Sequence, residues 1–172
     1  MKKLIFGAIA LMAFVSCEKQ KIAFVDNSEL VNEYQEKKDI EEKFKVQIEA
    51  FQKKTDSLSR AFQAEAQEFQ DKAAKMARKK AEERYQELGQ KQQMLSQQLQ
   101  YEEQQIQMAS QKEIDSLVKK VKNFVKDYGK TNGYTYILGA NEAGSVLYGT
   151  EANDITSLLL EELNKKYETE KQ

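Results

Sequence analysis

The chain has 172 residues, of which 32% are charged and 40% hydrophobic, with a mean hydropathy of -0.76. Its 27 basic and 28 acidic residues give a net charge of -1, which argues against a nucleic-acid-binding protein because such domains are strongly basic. With no histidine and one cysteine, histidine-based catalysis, histidine-containing metal sites and intrachain disulfides are excluded. No Gly-rich phosphate loop is present either, so we expect neither an enzyme nor a cofactor.

The N-terminal segment is predicted to be a targeting sequence. Two lysines precede a twelve-residue apolar run, Leu4 to Val15, which is too short to span a bilayer. The run ends at Ser16 and Cys17, a pair that resembles a bacterial lipoprotein cleavage box, although an aromatic residue stands where an aliphatic one is usual. We predict a signal peptide over residues 1–16, lipid attachment at Cys17 and a tether over 17–21. An ordinary secretory signal with an incidental cysteine is the alternative.

After the tether, residues 22–39 are predicted to form the first part of the body, a strand and a helix. Lys21 to Asp26 is an apolar run that predicts a buried strand. Asn27 or Ser28 is expected to cap the helix that follows. The pattern leaves open whether this helix breaks near residues 37–39 or continues into the next element.

Residues 40–128 are predicted to form a long helical hairpin. Apolar or small residues recur with a mean step of 3.6 from Ile40 to Met76, which is ten steps over 36 residues. From Leu88 to Tyr128 the mean step is 3.64, eleven steps over 40 residues, with three polar positions. A period closer to 3.6 than to 3.5 predicts nearly straight arms.

The turn between the two arms is expected near residues 73–81, where the apolar spacing lapses. No glycine or proline marks it, so a kinked continuous helix or a break at Gly89 remains open. Basic residues cluster there and could contact anionic lipid headgroups or acidic partners, although a solvated helix turn explains them equally well. This candidate basic tip consists of Lys72, Lys75, Arg78, Lys79, Lys80 and Arg84.

Residues 129–172 are predicted to complete the body. Five glycines fall within the 21 residues from Gly129 to Gly149 and separate two strand-like runs, Tyr134–Leu138 and Ser145–Tyr148. A hairpin loop is expected over residues 141–144, followed by a helix from Ile155 to about Tyr167 with Asp154 as its N-cap. The fold class is therefore α+β and mostly helical, with a small β-containing body and a long helical hairpin. Because such a small body is poorly stable alone, several chains are expected to associate.

The order of these elements resembles the Skp/OmpH family of periplasmic chaperones over residues 21 to about 166. The resemblance is carried by the start of the mature chain, the hairpin and three later strings. These strings are Gly133–Leu138, Val146–Tyr148 and Asp154–Thr156. The resemblance implies a homotrimer with a β-barrel-like hub, whose helical arms hold unfolded outer-membrane proteins without ATP before their assembly. The familiar chaperone is strongly basic and soluble, whereas this chain is nearly neutral and carries a predicted membrane anchor, so we expect no long-range electrostatic capture outside the tip. No lipopolysaccharide-binding residue can be matched.

A holdase needs many weak contacts, and apolar residues on the arms could supply them. The simpler explanation is that these residues pack the two arms together, and we favour it for most of the phenylalanines. The polar positions Gln92, Glu102 and Ser110 predict that the far half of the arms is loosely packed. The candidate client contacts are Phe44, Phe51, Phe62, Phe69, Leu95 and Leu99.

A structural or spacer lipoprotein of the envelope, without chaperone activity, is the alternative function. A spacer needs neither strands nor a hub, so the segment from Gly129 to Gly149 argues against it.

Overall fold

The computed structural model describes residues 20–141 and 145–171. The predicted signal peptide and the predicted lipid attachment at Cys17 therefore lie outside the described residues. The element order is β1 (Ile22–Asp26), α1 (Asn27–Glu33), α2 (Gln35–Ala73), α3 (Arg78–Thr131), β2 (Tyr136–Ala140), a 3-10 turn (Glu151–Asn153) and α4 (Thr156–Glu170).

The two strands form a parallel pair in a small sheet. Their register runs from Ile22 opposite Tyr136 to Asp26 opposite Ala140. On the other edge of β1, Phe24 bridges to Asp154. Parallel strands need a long crossover connection, and here the whole hairpin serves as that connection.

The predicted second C-terminal strand, Ser145–Tyr148, is wrong, because the structure assigns no strand to these residues. Leu147 and Tyr148 are instead 92% and 86% exposed. The chain then passes Gly149 against the ring of Phe24 on its way to the edge of β1. Among the described residues, this run pairs with no strand. The predicted hairpin loop falls partly on residues 142–144, which are outside the described residues.

The first helix begins at Asn27, and its cap lies one residue before the first of the two predicted cap positions. The side chain of Asp26 accepts hydrogen bonds from the backbone N–H groups of Ser28 (2.8 Å) and Glu29 (3.0 Å). Asp26, rather than Asn27 or Ser28, is therefore the cap, because β1 ends there in the extended conformation that a cap requires. The helix ends at Glu33, and the extended backbone of Tyr34 separates α1 from α2.

The hairpin consists of α2 and α3, joined by a turn over residues 74–77, inside the range 73–81 expected from the sequence. The 39 residues of α2 and the 54 residues of α3 span about 58 Å and about 81 Å at 1.5 Å per residue. Because α3 is longer, its last turns extend past the start of α2 and pack within the body.

The body core lies where β1, α1, the foot of α3 and α4 meet. Thr156 joins two of these elements, because its hydroxyl accepts a hydrogen bond from the Asp26 N–H (2.9 Å) and donates to the Asp154 carboxylate (2.5 Å). Asp154 also accepts from the Thr156 N–H (2.9 Å) and so supports the start of α4. The buried cluster comprises Ala23, Val25, Leu30, Tyr34, Leu117, Val121, Ile155, Leu159 and Leu163.

Candidate functional site

The root of the hairpin is held by a partly buried polar network. The Lys120 ammonium donates to the carboxylates of Glu36 (2.6 Å) and Glu170 (2.7 Å), which links α3 to α2 and to α4. Tyr34, fully buried, donates its hydroxyl proton to Glu36 (2.6 Å). Burial of Lys120 acts to lower its pKa, but the two carboxylates outweigh this and hold the pKa above the ordinary lysine value. The root is thus fixed by both packing and paired charge.

A second set of contacts joins the end of α4 to the start of α2. Asp39 accepts hydrogen bonds from the Tyr167 hydroxyl (3.0 Å) and from Gln35 (2.8 Å), and it pairs with Lys171. The hydrogen bond from Lys171, followed by that from Gln35, lowers the pKa of Asp39 to about 2. The rings of Tyr34 and Tyr167 meet edge to face at 5.9 Å between centroids. The C-terminal helix therefore braces the arm where it leaves the body.

Away from the root, the two arms meet along a seam that is only thinly packed. Phe44, at 4% exposed, and Leu88 are the buried hydrophobic side chains of the seam beyond the body core. Phe51, Phe62, Phe69, Leu95 and Leu99 are half-buried. Of the candidate client contacts, Phe44 is thus covered by packing, whereas the other five keep part of their surface in water.

The seam is interrupted by open notches between the helices. One of them lies between Phe51 and Ile106, and another is lined by Phe62, Leu95 and Leu99. A helical stripe that packed tightly would close such gaps. The half-buried phenylalanines and leucines consequently present apolar surface at the sides of the seam.

Ion pairs, rather than apolar contacts, cross the seam at several levels. Lys54 lies 2.5 Å from Glu102, one of the polar positions on the α3 stripe, and Lys91 pairs with Glu65. The hydrogen bond from Lys91 is the main reason why the pKa of Glu65 is lowered. Because water screens such partly exposed pairs, they set the register of the arms more than they add to the stability of the hairpin.

The six residues of the basic tip differ in whether they form ion pairs. Lys72 pairs with Glu68, and Arg84 contacts both Glu65 (2.6 Å) and Glu87 (2.8 Å). Within residues 20–141 and 145–171, the remaining four form no ion pair. These are Lys75, Arg78, Lys79 and Lys80. They surround the start of α3, whose dipole adds positive potential.

The body exposes an apolar surface on the sheet face that points away from the core. Ala23 and Val25 face the core, while the exposed Ile22 lies beside the exposed Tyr136 on the opposite face. Leu138, opposite Phe24 in the register, is exposed on the same face, and Leu147 and Tyr148 are exposed just before Gly149, which lies against the Phe24 ring. Sequence reasoning had assigned these residues to a paired sheet and so missed that they remain uncovered within one chain.

Exposed apolar residues on the outer surface of the arms were also missed. They include Val46, Tyr85, Met94, Tyr101 and Met108. The sequence does contain a signal for them, because each is a large apolar residue in a polar helix at a position that does not fit the spacing of the seam. Among the described helices, none has a stretch long and apolar enough to cross a membrane.

Comparison with known proteins assigns the family. Residues 21–163 match the sequence profile described as outer membrane protein (OmpH-like). The chain belongs to the OmpH-like family. Chaperones of this family are periplasmic and are not enzymes, so the expectation of a non-enzymatic protein is confirmed. No curated protein sequence matches the chain.

The fold is also similar to a solved structure. A crystal structure from Caulobacter crescentus CB15, described as an outer membrane chaperone (OmpH-like), has a TM-score of 0.76 to this chain at 14% identity. The match covers 86% of this chain and 85% of that one. The predicted fold class, mostly helical with a small β-containing body and a long helical hairpin, is confirmed.

Proposed function

We propose that this OmpH-like chain is an ATP-independent holdase that binds unfolded outer-membrane proteins in the periplasm, between the helical arms of a homotrimer. The observation that carries the proposal is the contrast within the hairpin. Its root is buried and braced by Lys120 and Asp39, while its arms are long, thinly packed and lined by half-buried apolar side chains.

The trimer is supported by the exposed apolar face of the sheet. Proteins in water rarely leave many large apolar side chains on one face without a partner. Ile22, Tyr136 and Leu138, with the protruding Leu147 and Tyr148, would be covered if the bodies of several chains joined into a β-barrel-like hub. The arms would then project from one hub and enclose a cavity.

Client binding is supported by the character of the arm surface. Half-buried Phe51, Phe62 and Phe69 each offer only a fraction of the about 2 kcal/mol that full burial of such a side chain contributes. Many such contacts, summed over three hairpins, hold an unfolded chain without fixing its conformation, and each contact is weak enough to break singly.

Two membrane contacts also belong to this proposed function, a lipid anchor at the N-terminus and the basic tip of the hairpin. Cys17, outside the described residues, would carry a lipid anchor that keeps the chaperone at a membrane. Lys75, Arg78, Lys79 and Lys80 would contact anionic lipid headgroups near the site of client delivery.

The test is suppression of aggregation without ATP. An outer-membrane β-barrel protein is diluted from urea into buffer with and without the chain, and turbidity is recorded. We expect suppression by the chain and weaker suppression by Phe51→Ser with Phe62→Ser. Gln52→Ser with Gln63→Ser, at exposed neighbouring positions, is the matched control and should behave as the parent chain. No suppression by the parent chain would refute the holdase and favour the spacer.

Two further measurements address the trimer and the tip. Light scattering of the purified chain should give a trimer, and a monomer would remove the cavity. Lys75, Lys79 and Lys80 changed to Glu should reduce binding to vesicles of anionic phospholipid, because the tip potential reverses. Lys45, Lys53 and Arg60 changed to Glu on the side of α2 are the charge-matched control. Equal losses in both variants would refute a specific role for the tip.

A further inference from the structure

A regular pattern runs along α3, mostly on the face that points away from α2, although its last residue, Gln111, also borders the notch beside Phe51. Gln90, Gln97, Gln104 and Gln111 recur every seven residues, and Met94, Tyr101 and Met108 recur every seven residues between them. All seven are exposed, with Met94 63%, Tyr101 64% and Met108 48% in water. The steps alternate between four and three residues over three heptads. We call this set the outer α3 stripe.

The outer α3 stripe is distinct from the seam with α2. Tyr101 follows the seam residue Leu99 by two positions, which places it about 200° round the helix, and Met108 bears the same relation to Ile106. The seam repeats every 3.6 residues, whereas the outer stripe repeats every 3.5. The latter spacing is that of a helix packed against another helix in a left-handed coiled coil.

The charge distribution on α3 leaves this stripe neutral. Among residues 90–111 the charged side chains are Lys91, Glu102 and Glu103. Two of them form ion pairs with α2, and Glu103 lines a notch beside α2. The corresponding outer surface of α2 is densely charged instead, with Glu42, Lys45, Glu49, Lys53, Asp56 and Arg60. A neutral stripe can face an identical copy of itself without like-charge repulsion.

In such a coiled coil, glutamine would occupy every second interface position, where it suits an identical partner. Its amide both donates and accepts, so the same residue on two copies can form a hydrogen bond. Polar residues at such positions fix the register of a coiled coil at a cost in stability. Methionine between them adapts to an imperfect fit. The pairing would therefore be in register, weak and reversible.

We infer that the outer α3 stripe is a helix-docking surface for α3 of a second copy of this chain. In the trimer of the proposed function, on which the orientation rests, the α3 helices run parallel and Tyr101 of one copy lies beside Tyr101 of the next. The contact closes the arms when no client is present, and an entering client separates it.

Disulfide cross-linking tests this contact. The full chain carries Cys17→Ser, so that the introduced thiol is the sole one, and oxygen with copper–phenanthroline is the oxidant. Tyr101→Cys and Met94→Cys should each form linked dimers about tenfold faster than a control, because a disulfide needs Cα atoms within about 7 Å. Ser96→Cys is the control, since Ser96 is exposed on the same helix but lies on the α2 side.

Two double variants, each of which adds two negative charges to the Tyr101→Cys chain, provide a second measurement. Gln97→Glu with Gln104→Glu places like charges in the contact and should return cross-linking to the control rate. Gln63→Glu with Gln70→Glu adds the same charge at exposed positions of α2 and should leave the rate unchanged. Circular dichroism verifies that each variant is folded.

The outcomes separate this inference from the proposed function. Cross-linking at Tyr101 and Met94 no faster than at Ser96 would overturn the helix contact. Protection of a Tyr101→Cys thiol by client, without cross-linking in its absence, would also overturn it and assign the stripe to the client. A chain that suppresses aggregation but does not cross-link refutes this inference alone, whereas one that cross-links but does not suppress aggregation refutes the holdase alone.

Discussion

Replacement of Leu117 by alanine tests whether the hairpin is stabilised mainly at its root. Leu117 is 2% exposed and belongs to a core cluster of only nine residues. Truncation of a fully buried leucine costs about 3 kcal/mol in lost transfer energy and cavity formation. Since domains of this size are stable by roughly 5–15 kcal/mol, the loss is a large fraction of the total. With a urea m value of about 2 kcal/mol per molar, the midpoint should fall by about 1.5 M.

The matched control is Leu99→Ala on the same helix. Leu99 is half-buried in the far part of the seam, so its truncation should cost about 1 kcal/mol and lower the midpoint by about 0.5 M. Circular dichroism follows both transitions at one fixed protein concentration, because association would shift the midpoint. Hydrogen exchange should likewise show amides of residues 92–110 exchanging faster than those of residues 114–128. Equal midpoint shifts, or equal protection of the two segments, would refute a rooted arm.

Two other perturbations follow from local geometry. Gly149→Ala should destabilise the body by about 1–3 kcal/mol in thermal unfolding, because the new Cβ would lie 2.2 Å from the ring of Phe24. Gly89→Ala meets no atom within 4 Å and should instead stabilise α3 by about 1 kcal/mol, so equal effects of the two would contradict the packing. Contacts with Lys171 first, and then with Gln35 and Tyr167, lower the folded pKa of Asp39 from 3.8 to about 2, so the stability that the ionised Asp39 contributes is present above pH 4 and is lost as pH falls toward 2. Asp39→Asn should therefore flatten this part of the stability profile, and a profile unchanged by it would show that the ion pair contributes nothing.

The hairpin was predictable because its signal is repeated many times along the chain. The 3.6 spacing of the stripes persists over ten or more steps, and its lapse into basic residues marks the turn at 74–77 even without glycine or proline. β1 was predicted from a short apolar run, whose length is that of a strand rather than of a helix.

Features that depend on distant contacts were not predictable in the same way. The break between α1 and α2 follows from burial of Tyr34 under α4, which no local pattern reveals. The run Ser145–Tyr148 has the β-branched and aromatic character of a strand, but such propensity describes a surface that fits a sheet and does not supply a partner edge. The ion pair of Lys54 with Glu102 explains a polar position that had looked like a defect of the seam.

The pairing of β1 with β2 has a consequence for how this architecture can vary. The hairpin, with α1, fills the connection between two parallel strands, residues 27–135, and touches the sheet only at its root. The entropy cost of closing a connection grows only with the logarithm of its length, by about 0.6 kcal/mol per doubling. Matched helical turns could therefore be added to or removed from α2 and α3 together while the sheet keeps its register. The length of the hairpin is thus a quantity that insertions and deletions can tune independently of the body.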